Sequence, residues 1–221
     1  MRNISKLQEP HCLTEYRASE NAKFENLHAN VKGPIKAQLV QEQLGLCCYC
    51  CGRIKADHGK LKVEHWKAQA EAKFPQHQLD YWNLLGACPG GEGQPEELQH
   101  CDSHKGNSDL SRNPADPVHS VEESISYLSD GTIQSSINPL DKELGKNSKT
   151  DRGVLNLNVK SLINRRKAAL DGFKQTIEKR GNLKKPMLER LLQEWGGEQG
   201  VNLKPYAPVV AFWLRKRLSR C

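Results

Sequence analysis

Six of the eight cysteines lie between residues 47 and 101, and four of them could surround one metal ion. Two residues separate Cys47 from Cys50, so a single turn can present both sulfurs, while Cys88 and Cys101 form a second, more widely spaced pair. Four thiolates in tetrahedral geometry are typical of a structural zinc site. Cys48 or Cys51 could replace a neighbour, but Cys47 with Cys50 keeps the usual spacing.

The residues between the two cysteine pairs could hydrolyse a phosphodiester bond. His65 could take a proton from water near neutral pH and so generate the nucleophile. Asp102 directly follows a zinc cysteine and could offer a carboxylate oxygen to Mg²⁺. Glu64 precedes His65 on a predicted strand, so a local twist would be needed for both to serve one site. Zinc would then be the scaffold and magnesium the catalytic ion.

Each of these residues also has a purely structural explanation. A lone histidine such as His65 is more commonly a core or zinc-bound residue, and Asn83 could be a helix cap or a turn residue. The cysteines could form disulfides instead of a metal site. We favour zinc because no basic, apolar leader begins the sequence and no stretch is long enough to span a membrane, which predicts a cytoplasmic protein with reduced cysteines.

Hydrophobic patterns predict the elements that must position these residues, in an α+β arrangement. Apolar residues at spacings of three to five between Glu15 and Leu44 predict two short helices with a break at Gly33-Pro34. Leu61 to Trp66 alternates like a strand. The remaining elements around the cysteines are a short helix or turn over residues 80–87, an exposed loop over 89–100 and a helical start at 102.

The C-terminal half is predicted to contain a β-hairpin followed by helices. Two alternating segments flank Asp130-Gly131, a dipeptide that favours a tight turn. Residues 138–153 are rich in polar residues and glycine and indicate a connector. Helices are predicted over about 159–179, 186–195 and 208–218.

The net charge is unevenly distributed along the chain. Residues 1–141 carry 14 Lys and Arg against 19 Asp and Glu, a balance of −5, whereas residues 142–221 carry 19 against 7, a balance of +12. A basic region of this size commonly contacts nucleic-acid phosphates, although an acidic protein partner or a solvated helical surface would also explain it. The same alternatives apply to the runs Arg165–Lys167 and Arg215–Arg217.

Several of these residues together resemble one known family. They are Glu64-His65, Asn83-Leu84-Leu85 and Cys101-Asp102-x-x-Lys105-Gly106-Asn107, framed by Cys47-x-Tyr49-Cys50. This set resembles the HNH (ββα-metal) endonucleases and, more narrowly, the PtuB-type HNH subunit of the Septu antiphage system, including the version that accompanies certain retrons. The resemblance is dense over residues 46–117. Beyond them it rests on Asn113-Pro114 with Asp116-Pro117, and on Leu155-Asn156-Leu157-Asn158 leading into Arg165.

The resemblance implies a fold and a division of the chain. The expected fold is a zinc-stapled ββα-metal nuclease core flanked by N- and C-terminal helices. Residues 1–45 would form an N-terminal helical segment and residues 46–117 the HNH core with its four-cysteine zinc site. Residues 118–221 would form a hairpin followed by a basic helical region.

The resemblance also implies roles and partners. His65 matches the general base, Asn83 the residue that braces the loop and orients that histidine, and Glu64 the acidic metal ligand. The last metal ligand is Asp102 or His104, and we favour Asp102 because it directly follows a zinc cysteine. The implied cofactors are structural zinc and catalytic Mg²⁺ or Mn²⁺.

The implied activity is DNA cleavage in phage defence, with no membrane involved. The expected partners are DNA, a PtuA-like ATPase of the ABC/SMC type and, for the retron-associated version, a reverse transcriptase with its msDNA. The alternative function is a zinc-containing DNA-binding or adaptor subunit that does not cleave. An adaptor would need the cysteines and the basic surface but not Glu64, His65 and Asn83 together, so their joint presence favours the enzyme.

Overall fold

Two small antiparallel sheets and several helices make up the computed structural model of this chain, which describes residues 1–57, 59–68, 77–146, 150–178, 184–197 and 202–221. The fold is therefore α+β, as expected. The described helices are α1 (His11–Arg17), α2 (Ala29–Glu42), α3 (Asp102–Lys105), α4 (Val121–Ser124), α5 (Asn138–Leu144), α6 (Lys160–Glu178), α7 (Lys185–Gly196) and α8 (Ala207–Leu218). The described strands are β1 (Lys62–His65), β2 (Leu84–Ala87), β3 (Ile125–Tyr127) and β4 (Ile133–Ser135).

The predicted break at Gly33-Pro34 is wrong, because α2 continues through Pro34. Val31, Ile35 and Leu39 lie four residues apart on one face and are all buried. Burying an aliphatic side chain of this size contributes about 1.5–3 kcal/mol, whereas a proline inside a helix costs roughly 3 kcal/mol. Three such side chains outweigh one proline. They pack in one cluster with Leu84 of β2, and this places the N-terminal helices behind the first sheet.

The first sheet pairs β1 with β2, and Glu64 lies opposite Leu85. The prediction of a helix or turn over residues 80–87 is wrong for its second half, because only Tyr81–Asn83 form a 3₁₀ turn before β2 begins. All four residues of β2 are buried. A short, fully buried apolar run has no alternation that distinguishes a strand from a helix. The short helix α3 follows, so strand, strand and helix occur in the order β1, β2, α3.

The second sheet and the C-terminal helices match the sequence pattern more closely. The hairpin is confirmed, with Tyr127 of β3 opposite Ile133 of β4, and the three predicted C-terminal helices correspond to α6, α7 and α8. The connector prediction is wrong at its start, because α5 buries Leu140 and Leu144 one turn apart. Across the described ranges, no helix combines the length and the apolar character that a membrane span requires.

Candidate functional site

The sulfur atoms of Cys47, Cys50, Cys88 and Cys101 all lie within 4.8 Å of one another and are buried. The sulfurs of Cys47 and Cys101 are 3.9 Å apart, and those of Cys50 and Cys88 are 3.7 Å apart. Four thiolates around a tetrahedral zinc, each at about 2.3 Å, stand roughly 3.8 Å from one another. The cluster could therefore hold a structural metal such as zinc. Cys48 and Cys51 are buried nearby and contribute no sulfur to this group.

Backbone geometry closes the long gap between Cys88 and Cys101. The His100 N–H donates to the Gly90 carbonyl oxygen at 2.8 Å. Gly90 has a φ of +61°, and a Cβ at this position would lie 2.1 Å from the His100 carbonyl oxygen, so only glycine allows this closure. The Asn156 amide pins the exposed part of the loop by donating to the Gln99 carbonyl oxygen at 2.7 Å. The loop predicted as an exposed excursion is therefore tied down at its base.

Glu64 is almost fully buried and has three polar neighbours. The Tyr49 hydroxyl donates to its Oε1 at 2.7 Å, and Lys105 Nζ lies 2.9 Å from the same oxygen. Burial, reinforced by a hydrogen bond to Asp102, raises the pKa of Glu64 to about 8 against the lowering effect of Lys105. Glu64 therefore holds a proton at neutral pH in the metal-free protein.

Asp102 is the other carboxylate of this pair and begins α3. Its Oδ2 accepts from Lys62 Nζ at 2.7 Å. Burial acts to raise the pKa of Asp102, but the hydrogen bonds from Glu64 and Lys62 outweigh it and lower that pKa. The protonated Glu64 carboxyl therefore donates to an ionised Asp102. Two carboxyl groups that share one proton in a buried site provide the hard oxygen donors that Mg²⁺ prefers.

Strand alternation places Glu64 and His65 on opposite faces of β1, as expected for a regular strand. Lys62 and Glu64 are two residues apart on β1 and both contact Asp102, so they share one face of the strand. His65, on the other face, contacts Phe24. Glu64, His65 and Asp102 nevertheless line the same open cleft of ≈ 390 Å³.

The His65 ring is held in one tautomer. Its Nε2 lies 2.9 Å from the Gln78 carbonyl oxygen, which can only accept, so Nε2 carries the hydrogen and Nδ1 has the lone pair. Phe24 fixes the ring edge-on at 4.4 Å between centroids. Burial lowers the pKa of His65, with Lys105 adding to this effect and the Gln78 hydrogen bond opposing it. The imidazole is therefore neutral at pH 7 and can accept a proton at Nδ1.

The Asn83 side chain is buried, and within the described residues all its hydrogen bonds are to backbone groups. Its Oδ1 accepts from the Lys67 N–H at 2.7 Å, and its Nδ2 donates to the carbonyl oxygens of Lys67 and His77, each at 3.0 Å. These bonds join the two ends of the connection between β1 and β2. Gln78, which holds the His65 ring, follows His77 directly. Asn83 thus positions His65 through the backbone and does not line the cleft.

The two alternatives for the last metal ligand occupy different environments. Asp102 lines the cleft beside Glu64. His104 turns away, and its Nδ1 donates to the Val154 carbonyl oxygen at 3.0 Å. The geometry favours Asp102 as the ligand.

Three residues that our sequence analysis assigned no role support this site. Lys105 is buried and joins β1 to α3, since its Nζ contacts both Glu64 and the His65 carbonyl oxygen, the latter at 3.1 Å. Tyr49 links the cysteine turn to Glu64, and Lys62 links β1 to Asp102. Tyr49 and Lys105 both belong to the motifs that carry the family resemblance, and this membership was the sequence feature that could have identified them. Lys62 lies two residues before Glu64 and had no signal beyond strand alternation.

The central residue of the first basic run is buried and has a structural role. Arg166 is only 1% exposed, and its Nε donates to the Gly131 carbonyl oxygen at 2.6 Å. Lys167 forms an ion pair with Asp171 within α6. The Arg166 contact holds α6 against the hairpin.

Known proteins supply no family assignment for this chain. No protein-family model matches it, and no curated protein matches it either. The cysteine cluster and the adjoining cleft are therefore the basis for a functional proposal.

Proposed function

We propose that this chain is an HNH (ββα-metal) endonuclease that cleaves DNA with the help of a divalent cation. One observation carries the proposal: the carboxyl groups of Glu64 and Asp102 line the same cleft as His65. The order β1, β2, α3 supports it, since Glu64 and His65 end β1 and Asp102 begins α3. The four-cysteine cluster supports it further by fixing Asp102 through Cys101 and Glu64 through Tyr49.

The residues of the cleft could divide the chemistry as follows. A bound Mg²⁺ or Mn²⁺ would neutralise the scissile phosphate and stabilise the departing 3′ oxygen. Glu64 and Asp102 would hold that ion once the shared proton is released. Nδ1 of His65 would take a proton from the attacking water, and the hydrogen bond from Nε2 to Gln78 would stabilise the resulting imidazolium.

The biological setting that we propose rests on the resemblance to the Septu HNH subunit. In that setting the chain serves phage defence in the cytoplasm under the control of a PtuA-like ATPase, and the retron-associated version would add a reverse transcriptase with its msDNA. The charge balance of +12 after residue 141 supports contact with DNA or with an acidic protein surface.

Removing the charge of Asp102 tests the proposal. Asp102→Asn keeps the side-chain shape and is expected to lower the rate of Mg²⁺- or Mn²⁺-dependent plasmid nicking about a hundredfold or more, because a metal ligand is weakened. Glu92→Gln is the matched control, since Glu92 also lines the cleft and pairs with Lys62 at 3.3 Å but is exposed. Nicking is measured with the chain alone and with the ATPase encoded beside it.

Equal nicking by the Asp102→Asn and Glu92→Gln proteins would contradict the assigned metal site. The wild-type chain, alone or with the ATPase, could also bind DNA without a metal and not nick it. That result would exclude the enzyme and support the adaptor function. Zinc content is measured in every variant, so that loss of the cysteine site is recognised separately.

Binding of the catalytic cation is expected to strengthen as pH rises. In the metal-free protein Glu64 holds its proton up to a pH of about 8, and the cation must displace it. Apparent affinity for Mn²⁺ should therefore increase from pH 6 to pH 9, with release of about one proton per ion at pH 7. Calorimetric titration in two buffers of different ionisation enthalpy measures this release. A pH-independent affinity would contradict the shared proton.

A further inference from the structure

A second pocket, of ≈ 440 Å³, lies between the β3–β4 hairpin, α6 and α8. Leu170, Val209, Phe212 and Trp213 contribute its apolar lining. Lys174 of α6 and three basic residues of α8 and its C-terminal end also line it: Lys216, Arg217 and Arg220. We call this the basic pocket. It shares no lining residue with the cleft of Glu64 and Asp102, so its function is independent of the nuclease proposal.

The four cations of the basic pocket have no acidic side chain as a partner among the described residues. Among the described residues, none of its four cations forms an ion pair, and no carboxylate side chain lines the pocket. The neighbouring cations differ: Arg215 pairs with Glu122 at 2.5 Å, and Lys167 pairs with Asp171. The chain thus neutralises basic side chains around the pocket but leaves those in it available to an anionic ligand.

We propose that the basic pocket binds an acidic peptide segment of a partner protein, with one apolar side chain of that segment inserted among Leu170, Phe212 and Trp213. Burial of that apolar side chain would supply most of the binding free energy. Carboxylates on either side of it would meet Lys174 on α6, Lys216 on α8 and Arg220 just beyond the end of α8. The buried hydrophobic anchor would give affinity, and the flanking charges would make association fast and sensitive to salt.

The geometry favours a peptide over nucleic acid. The cations stand on two walls of a concavity, whereas duplex phosphates follow a stripe along a surface. Single strands bind by stacking bases on open ring faces. Here the Phe212 ring meets Tyr127 at an interplanar angle of 72°, and the Arg217 guanidinium lies over the Trp213 ring at 5.5 Å. The Phe212 ring thus packs edge-on against Tyr127 and the Trp213 ring lies under Arg217, so both rings already serve as an apolar lining.

A labelled short peptide, with a Leu-Phe pair flanked on both sides by Asp and Glu, tests the proposal by fluorescence anisotropy with the full chain. The Lys216→Glu/Arg220→Glu protein is expected to bind it about tenfold more weakly or worse. The matched control, Lys160→Glu/Arg190→Glu, changes net charge equally outside the pocket and should keep wild-type affinity. Leu128→Glu, at an exposed pocket residue, should also weaken binding without affecting folding.

Three results would overturn the proposal. The first is equal peptide affinity for the two double variants, and the second is no binding by the wild-type chain at peptide concentrations up to about 1 mM. The third is binding of a labelled oligo-dT that depends on Lys216 and Arg220 while the peptide does not bind, which would identify a nucleic-acid surface. A peptide without the Leu-Phe pair should bind more weakly, and equal binding would eliminate the apolar anchor.

Discussion

Replacing His65 by alanine is expected to lower DNA cleavage by about 10²–10⁴-fold, because the substitution removes the general base. Phage protection should disappear with it. The zinc content should not change, since His65 lies outside the cysteine cluster and contacts Phe24 and Gln78 instead. Plasmid nicking, elemental analysis and co-purification with the ATPase measure the three quantities separately.

The control for His65→Ala is His77→Ala, which removes a half-buried imidazole near the same loop. Its backbone carbonyl, which Asn83 binds, is kept. This variant should retain cleavage. The cleavage rate of the Asn83→Ala protein should lie between those of the His65→Ala and His77→Ala proteins. This substitution loosens the loop that holds Gln78 but leaves the His65 imidazole in place. Full cleavage and full protection by the His65→Ala protein would eliminate the enzyme and leave the adaptor function standing.

Local chemistry in the sequence was enough to predict the four-cysteine cluster and the position of Asp102 beside it. The two-residue spacing of Cys47 and Cys50 led to the right pair of sulfurs, and the position of Asp102 after Cys101 placed it beside the cluster. The buried contact of Lys105 with Glu64 could not be predicted. A lysine on a short polar segment is normally exposed, and only the closure of α3 onto β1 shows that this one is buried.

The fold was predictable where periodicity is long or turn chemistry is strong. The hairpin at Asp130-Gly131 and the helix α6 are examples. Prediction failed where tertiary burial decides the outcome. β2 is a buried run of four residues without alternation, and α2 persists through Pro34 because its apolar face is covered. Neither covering surface is visible in the local sequence.

Replacing Cys50 by serine should unfold the central module and not merely inactivate it. Structural zinc bound by four thiolates contributes about 10–16 kcal/mol of binding free energy, whereas a whole domain is typically stable by only about 5–15 kcal/mol. In this chain the loss would extend to the cleft. The cysteine turn carries Tyr49, which contacts Glu64, and Cys101 precedes Asp102, so both carboxyl groups would lose their positions together.

We expect about one equivalent of zinc in chelator-washed wild-type protein and less than about a tenth of an equivalent in the Cys50→Ser protein, with loss of its cooperative thermal unfolding. Cys51→Ala is the matched control, because Cys51 is buried in the same turn but lies outside the sulfur cluster. It should keep its zinc and lose only the packing of one small side chain. A well-folded wild-type chain without zinc, or a Cys50→Ser chain that unfolds at the wild-type temperature, would show that the four cysteines are not a structural metal site.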